Sequence, residues 1–197
     1  MIMARLPAPV LAFGAFGVAT LVLLAAVGGG SPTTGAVRLG GLVQGRIGRF
    51  FSWAELTVST AAARLGLDNT PPPEAQVALK LLVDTVLDPL RTALGRPVHV
   101  SSGYRSPPIN QAVKGSPTSQ HMVGEAADIR VDGMAAEELA LAIFRLGLPF
   151  DQVIWYAPER GGHVHVSYTV KRANRRETLH APAAGGYVPW APAARVA

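Results

Sequence analysis

Two short patterns restrict this chain more than anything else in it. Ser119-Gln120-His121-Met122-Val123-Gly124-Glu125-Ala126-Ala127-Asp128 sets a histidine and an aspartate seven positions apart among small residues, and His163-Val164-His165-Val166 sets two histidines one residue apart. On a strand, the imidazoles of the second pattern project from one face and the valines from the other. Gly124, Ala126 and Ala127 suit a backbone that turns closely over a bound ion. Zinc accepts imidazole nitrogen and carboxylate oxygen, and a catalytic zinc takes three protein ligands and leaves the fourth position to water. One aspartate with two or three of these histidines meets that demand. The chain has no cysteine, which removes thiolate sites and disulfide frameworks from consideration. Taken alone, the His-x-His pair is equally compatible with two surface imidazoles on a half-exposed strand.

In chain order, residues 9–27 are apolar without a charge, after Arg5 and before Gly28-Gly29-Gly30. Such a run, about 20 residues, spans a bilayer and also matches a long signal-peptide core. The reading favoured here is an uncleaved anchor over 1–27, with Arg5 keeping the N-terminus cytoplasmic and the domain outside; a removed signal peptide is the alternative. Residues 28–49 have linker composition. The domain is expected over 50–180, followed by a loose Ala-, Gly- and Pro-rich tail over 181–197.

Within the domain, Ser52-Trp53-Ala54-Glu55 has capping-box spacing and predicts a short helix. Apolar positions from Leu79 to Leu94 predict a long helix over 74–94, kinked at Pro89 and stopped by Gly95 and Pro97. Strands are expected over 98–101 and 129–131, a helix over 134–146, and a hairpin of 151–156 with 163–170. The net charge of +5 favours anionic surroundings such as a cell-wall polymer or a phospholipid surface. The basic residues are scattered without interleaved aromatics, which argues against nucleic acid.

The blocks Phe51-Ser52-Trp53-Ala54-Glu55-Leu56, Ser102-Gly103-Tyr104-Arg105-Ser106-Pro107, Ser119 to Asp128, Asp151-Gln152-Val153-Ile154 and His163 to Tyr168 resemble the zinc D-Ala-D-Ala carboxypeptidases and phage L-Ala-D-Glu endolysins, which share the hedgehog-type fold. The resemblance implies an α+β fold, a small antiparallel sheet with helices packed on one side. It implies zinc bound by His121, Asp128 and His165, with Arg105 binding substrate and His163 assisting catalysis; Ser119 is a candidate for orienting substrate or a ligand, and equally compatible with a turn-forming hydroxyl. The substrates would be peptidoglycan stem peptides, and the enzyme a monomer on the extracytoplasmic side of the membrane. Relatives often carry an acidic base where this chain has Gly162 or Tyr156. Glu159 is therefore the first candidate for that role and Asp151 a more remote one, while a catalytically silent wall-binding module and a phage-derived signal-anchor endolysin stand as alternatives. Glu125 is expected to be a solvated loop carboxylate, and His99 and His180 to be exposed or structural.

Overall fold

The computed structural model describes residues 38–39, 42–43 and 45–192. The apolar segment 1–27 and most of the expected linker lie outside the described residues. Among the described residues, no helix is long and apolar enough to cross a membrane. Two short strands, β1 (Arg38–Leu39) and β2 (Leu42–Val43), pair antiparallel. The chain joins the core before Phe50: Ile47 is buried and Arg46 bridges to Ser52.

The predicted capping box forms at the start of α1 (Trp53–Thr57). Ser52 Oγ accepts from the Glu55 amide at 3.3 Å, and the Glu55 carboxylate accepts from the Ser52 amide at 2.7 Å. A second helix, α2 (Thr60–Leu65), follows with Ser59 as its cap. The long helix divides into α3 (Pro73–Leu82), a π-helical turn over Val83–Leu87, and α4 (Asp88–Leu94). Pro89 has no N–H to donate and its ring crowds the preceding turn, so the helix widens by one residue there. The Asp88 amide accordingly reaches back to the Val83 carbonyl. The wider turn still buries Val83, Val86 and Leu87, each stabilising by roughly 1.5–3 kcal/mol.

The remaining elements are β3 (His99–Ser102), α5 (Pro107–Ala112), a 3-10 turn over Gln120–Val123, β4 (Ala126–Arg130), α6 (Ala136–Arg145), β5 (Gln152–Tyr156), a 3-10 turn over Pro158–Arg160, β6 (Val164–Ser167), β7 (Glu177–Ala181) and β8 (Val188–Pro189). The six strands form one sheet in the order β3-β4-β6-β5-β7-β8. The expected all-antiparallel sheet is corrected at one pair, because β7 runs parallel to β5. After β6 the chain must pass the start of β5 to reach its far side, and a strand arriving by that route points the same way as β5.

Alternation along the strands divides the sheet into two faces. Ala127, Ile129, Val153, Val164 and Val166 enter one core with Leu79, Leu82, Leu87 and Leu90 of the long helical element and Ala140 and Ile143 of α6. Asp128, Ile154 and His165 take the opposite parity, on paired positions of β4, β5 and β6. The tail past Ala181 was expected to be loose, yet β8 pairs with β7 and Trp190 packs against the core. The apolar ring and the strand pairing hold a segment whose composition alone resembles a linker.

Candidate metal centre

His121 Nε2 lies 3.1 Å from His165 Nδ1 and 3.2 Å from Asp128 Oδ1, and His165 Nδ1 lies 3.1 Å from the same carboxylate oxygen. Ligands bound to zinc at about 2.0–2.1 Å in a tetrahedron stand roughly 3.3 Å apart, so this donor triangle fits such an ion and leaves a fourth position for solvent. Two of the three donor residues are cross-strand partners, Asp128 on β4 facing His165 on β6. The third comes from the turn that leads into β4.

Two glycines hold that turn in place. Gly103 passes so close to α1 that a Cβ would stand 2.2 Å from the Leu56 carbonyl oxygen, and its own carbonyl accepts from His121 Nδ1 at 2.7 Å. That bond sets the tautomer and leaves Nε2 for a metal. Gly124 ends the turn at φ +75°, and a Cβ there would stand 2.3 Å from the Ala75 carbonyl oxygen. The Arg105 amide donates to the His121 carbonyl at 3.2 Å, stitching the Ser-Gly-Tyr-Arg turn to the ligand turn.

Burial alone would raise the pKa of Asp128, but His121 and His165 more than offset it by charge and hydrogen bonding and hold the carboxyl well below its usual range. Burial keeps His165 and His163 below the ordinary imidazole value, which favours the neutral form that ligates metals or accepts protons.

The triangle lies in a cleft of about 680 Å³. Arg105 lines it with one guanidinium nitrogen 4.0 Å from Asp128 Oδ2, while its buried Nε has no hydrogen-bond partner in the protein. Ser119 lines it as well, and His163 stacks on Tyr156 with ring centroids 4.2 Å apart. Burial, then the hydrogen bond to Tyr187, pushes the Tyr156 phenol above its usual range.

Glu159 is not among the cleft-lining residues; it is exposed on the turn between β5 and β6, so the structure does not bring this candidate base to the site. Asp151 is fully buried and accepts hydrogen bonds from Arg172, Arg175 and Gln120. Burial works against its charge, but the arginines hold its pKa far below the usual carboxylate value, which suits an anchor rather than a base. Glu125 is likewise corrected: it is buried and accepts from Thr169 Oγ1 at 3.0 Å. Among the described residues that line the cleft, Asp128 is the sole carboxylate.

Sequence reasoning missed Arg172, Arg175 and Tyr187, which also line the cleft. A basic run after Lys171 was visible, but nothing in it indicated that the chain there crosses the start of β5. His99 sits 3.3 Å from Asp132 at the surface, and His180 stacks on Trp155, so neither joins the centre.

No curated protein matches the chain. Residues 49–167, more than half of its length, match the family model described as Peptidase M15 and contain all three residues of the donor triangle. The chain therefore belongs to the Peptidase M15 family, metallopeptidases of the zinc D-Ala-D-Ala carboxypeptidase type.

Proposed function

We propose that the protein hydrolyses a D-amino-acid-containing amide bond in peptidoglycan stem peptides, using a zinc ion held by His121, Asp128 and His165. The observation that carries this reading is the triangle of two imidazole nitrogens and one carboxylate oxygen, 3.1–3.2 Å on each side, inside a cleft lined by basic residues. Zinc there would polarise the scissile carbonyl and provide activated water. The chain's own groups supply the rest. The guanidinium of Arg105 offers fork-shaped donors to a substrate carboxylate, with Ser119 beside it in the cleft wall. His163, kept neutral by burial and steadied by stacking on Tyr156, accepts a proton at a ring nitrogen and returns it to the leaving amine. The Gly103 carbonyl keeps His121 in the ligating tautomer.

Replacing His121 or His165 by alanine should abolish zinc retention and the release of muropeptides from purified cell wall. Stoichiometric zinc with undiminished release in both variants would end this reading. A silent wall-binding module is the second reading, motivated by the lack of a further carboxylate among the described cleft residues. Binding of muropeptides without cleavage in excess zinc would decide for it. The apolar stretch 9–27 supports an extracytoplasmic, membrane-tethered enzyme, whether a housekeeping protein or a phage-derived lysin. Accessibility of the domain to protease added outside intact spheroplasts tests that placement.

A further inference from the structure

The family match ends at Ser167, yet the cleft does not. Arg172 and Arg175 belong to the crossing that carries the chain past the start of β5, and both line the same cleft as the donor triangle. They are fixed from beneath. Asp151 accepts from Arg172 Nη2 at 2.9 Å, from Arg175 Nη2 at 2.8 Å, from the Arg175 amide at 2.9 Å and from Gln120 Nε2 at 2.9 Å. Its side chain is wholly buried, whereas the two arginine side chains are 48% and 46% exposed. A buried carboxylate thus holds one edge of each guanidinium and leaves the remainder facing the cleft.

Strand register sets the distance. Gln152, Ile154 and Tyr156 line the cleft from one face of β5, and Ile154 pairs with His165. Asp151 is three positions before Ile154, so at about 3.3 Å per residue its level on the sheet is about 10 Å from that of the metal ligands. Tyr156 and His163 lie on the other side of the Ile154 level. The cleft therefore has an arginine-lined end, a metal-binding middle and an aromatic end. The two arginines are not equivalent: Arg175 Nη1 also contacts Glu177 Oε2 at 3.1 Å, whereas Arg172 sets both terminal nitrogens on Asp151, donates Nη1 to the Ala173 carbonyl at 3.1 Å and pairs with no second carboxylate among the described residues.

We propose that Arg172, supported by Arg175, forms an anion subsite that engages a substrate carboxylate carried about two to three residues from the bond at the metal centre, the reach of an extended peptide over that distance. The subsite selects acidic stem peptides. It takes its substrate class from the peptidase reading, but it is measured by binding alone.

The probes are two synthetic pentapeptides, L-Ala-γ-D-Glu-L-Lys-D-Ala-D-Ala with the glutamate α-carboxyl either free or converted to carboxamide. Their affinities for the zinc-loaded full chain are read by calorimetry, and cleavage is read separately by mass spectrometry. The free acid should bind at least tenfold tighter than the amide. R172Q should bring that ratio to within twofold of unity, R172K should keep most of it, and E177Q, which removes the competing carboxylate, should tighten acid binding at least threefold. Equal binding of the two peptides by the native protein, an undiminished ratio in R172Q, or no binding of either peptide overturns the subsite. If R172Q does not fold, E177Q decides, and an unchanged acid affinity there overturns it. Arg172-dependent preference without cleavage would sink the peptidase reading and leave the subsite standing; cleavage of both peptides without preference would do the reverse.

Discussion

His121 Nε2 and His165 Nδ1 stand 3.1 Å apart although 44 positions separate them in the chain. One nitrogen is delivered by a 3-10 turn anchored to the Gly103 carbonyl, the other by the middle of β6. Two imidazoles and a carboxylate share this volume because a backbone carbonyl and strand pairing hold them there independently of one another.

Zinc should stabilise the protein. A ligand present at 100 times its dissociation constant adds about 2.7 kcal/mol, which for a domain of this size raises Tm by roughly 5–10 °C. Differential scanning calorimetry with and without chelator should show this shift in the native chain and its loss in the His121→Ala variant.

His163 is predicted to act on the proton and not on the metal. His163→Ala should retain near-stoichiometric zinc while kcat falls by about 10²–10⁴, the usual contribution of a positioned acid–base group, with little change in KM. Zinc loss equal to that of His165→Ala would show instead that His163 is a ligand.

Gly103 should tolerate no side chain. With a Cβ meeting the Leu56 carbonyl oxygen at 2.2 Å, two backbone segments must separate, and Gly103→Ala should cost about 3 kcal/mol or more. Gly95→Ala is the comparison: its Cβ meets nothing within 4 Å, and only the left-handed backbone opposes it, at about 1 kcal/mol. Urea denaturation of both variants checks the difference. Zinc affinity should fall only in the first, since Gly103 also holds His121.

Asp151 should make the fold acid-sensitive. Its folded pKa lies below the unfolded value of about 3.9, so its stabilisation is complete above that value and is lost as pH falls below about 4 towards the folded pKa. Asp151→Asn should flatten stability against pH in this window. At neutral pH it should cost about 2–3 kcal/mol, less than breaking a fully buried pair, because both arginines are half exposed. Chemical denaturation between pH 2 and pH 7 measures both effects.

Local signals were legible where local forces decide. The Ser52–Glu55 capping box, the helix end at Gly95 and the hairpin of β5 with β6 all rest on contacts within a few residues, and each is present. The irregularity that Pro89 demands was legible as well, and it takes the form of a π turn in which the Asp88 amide reaches back to the Val83 carbonyl. Glu159 is a candidate base on sequence grounds only because Gly162 and Tyr156 stand where relatives often carry an acid and it is the carboxylate of the intervening turn. The turn that carries it is short and points its carboxylate to solvent. Tyr187 and Trp190 were hidden by composition, since Gly and Pro around them resemble a loose tail until β7 offers an edge to pair with.

The sequence by itself determined the donor types, the parity that puts His165 opposite the valines of β6, and the glycines that a close turn demands. Those properties follow from side-chain chemistry and from the two-residue period of a strand. Tertiary structure alone decided that Asp128 would face His165, that Asp151 would be an anchor for two arginines instead of a base, and that a crossing beyond the matched family segment would wall the cleft. Register and crossover direction arise from burying one face of the sheet against the helices, a condition satisfied by many residues at once and encoded in no single stretch of chain.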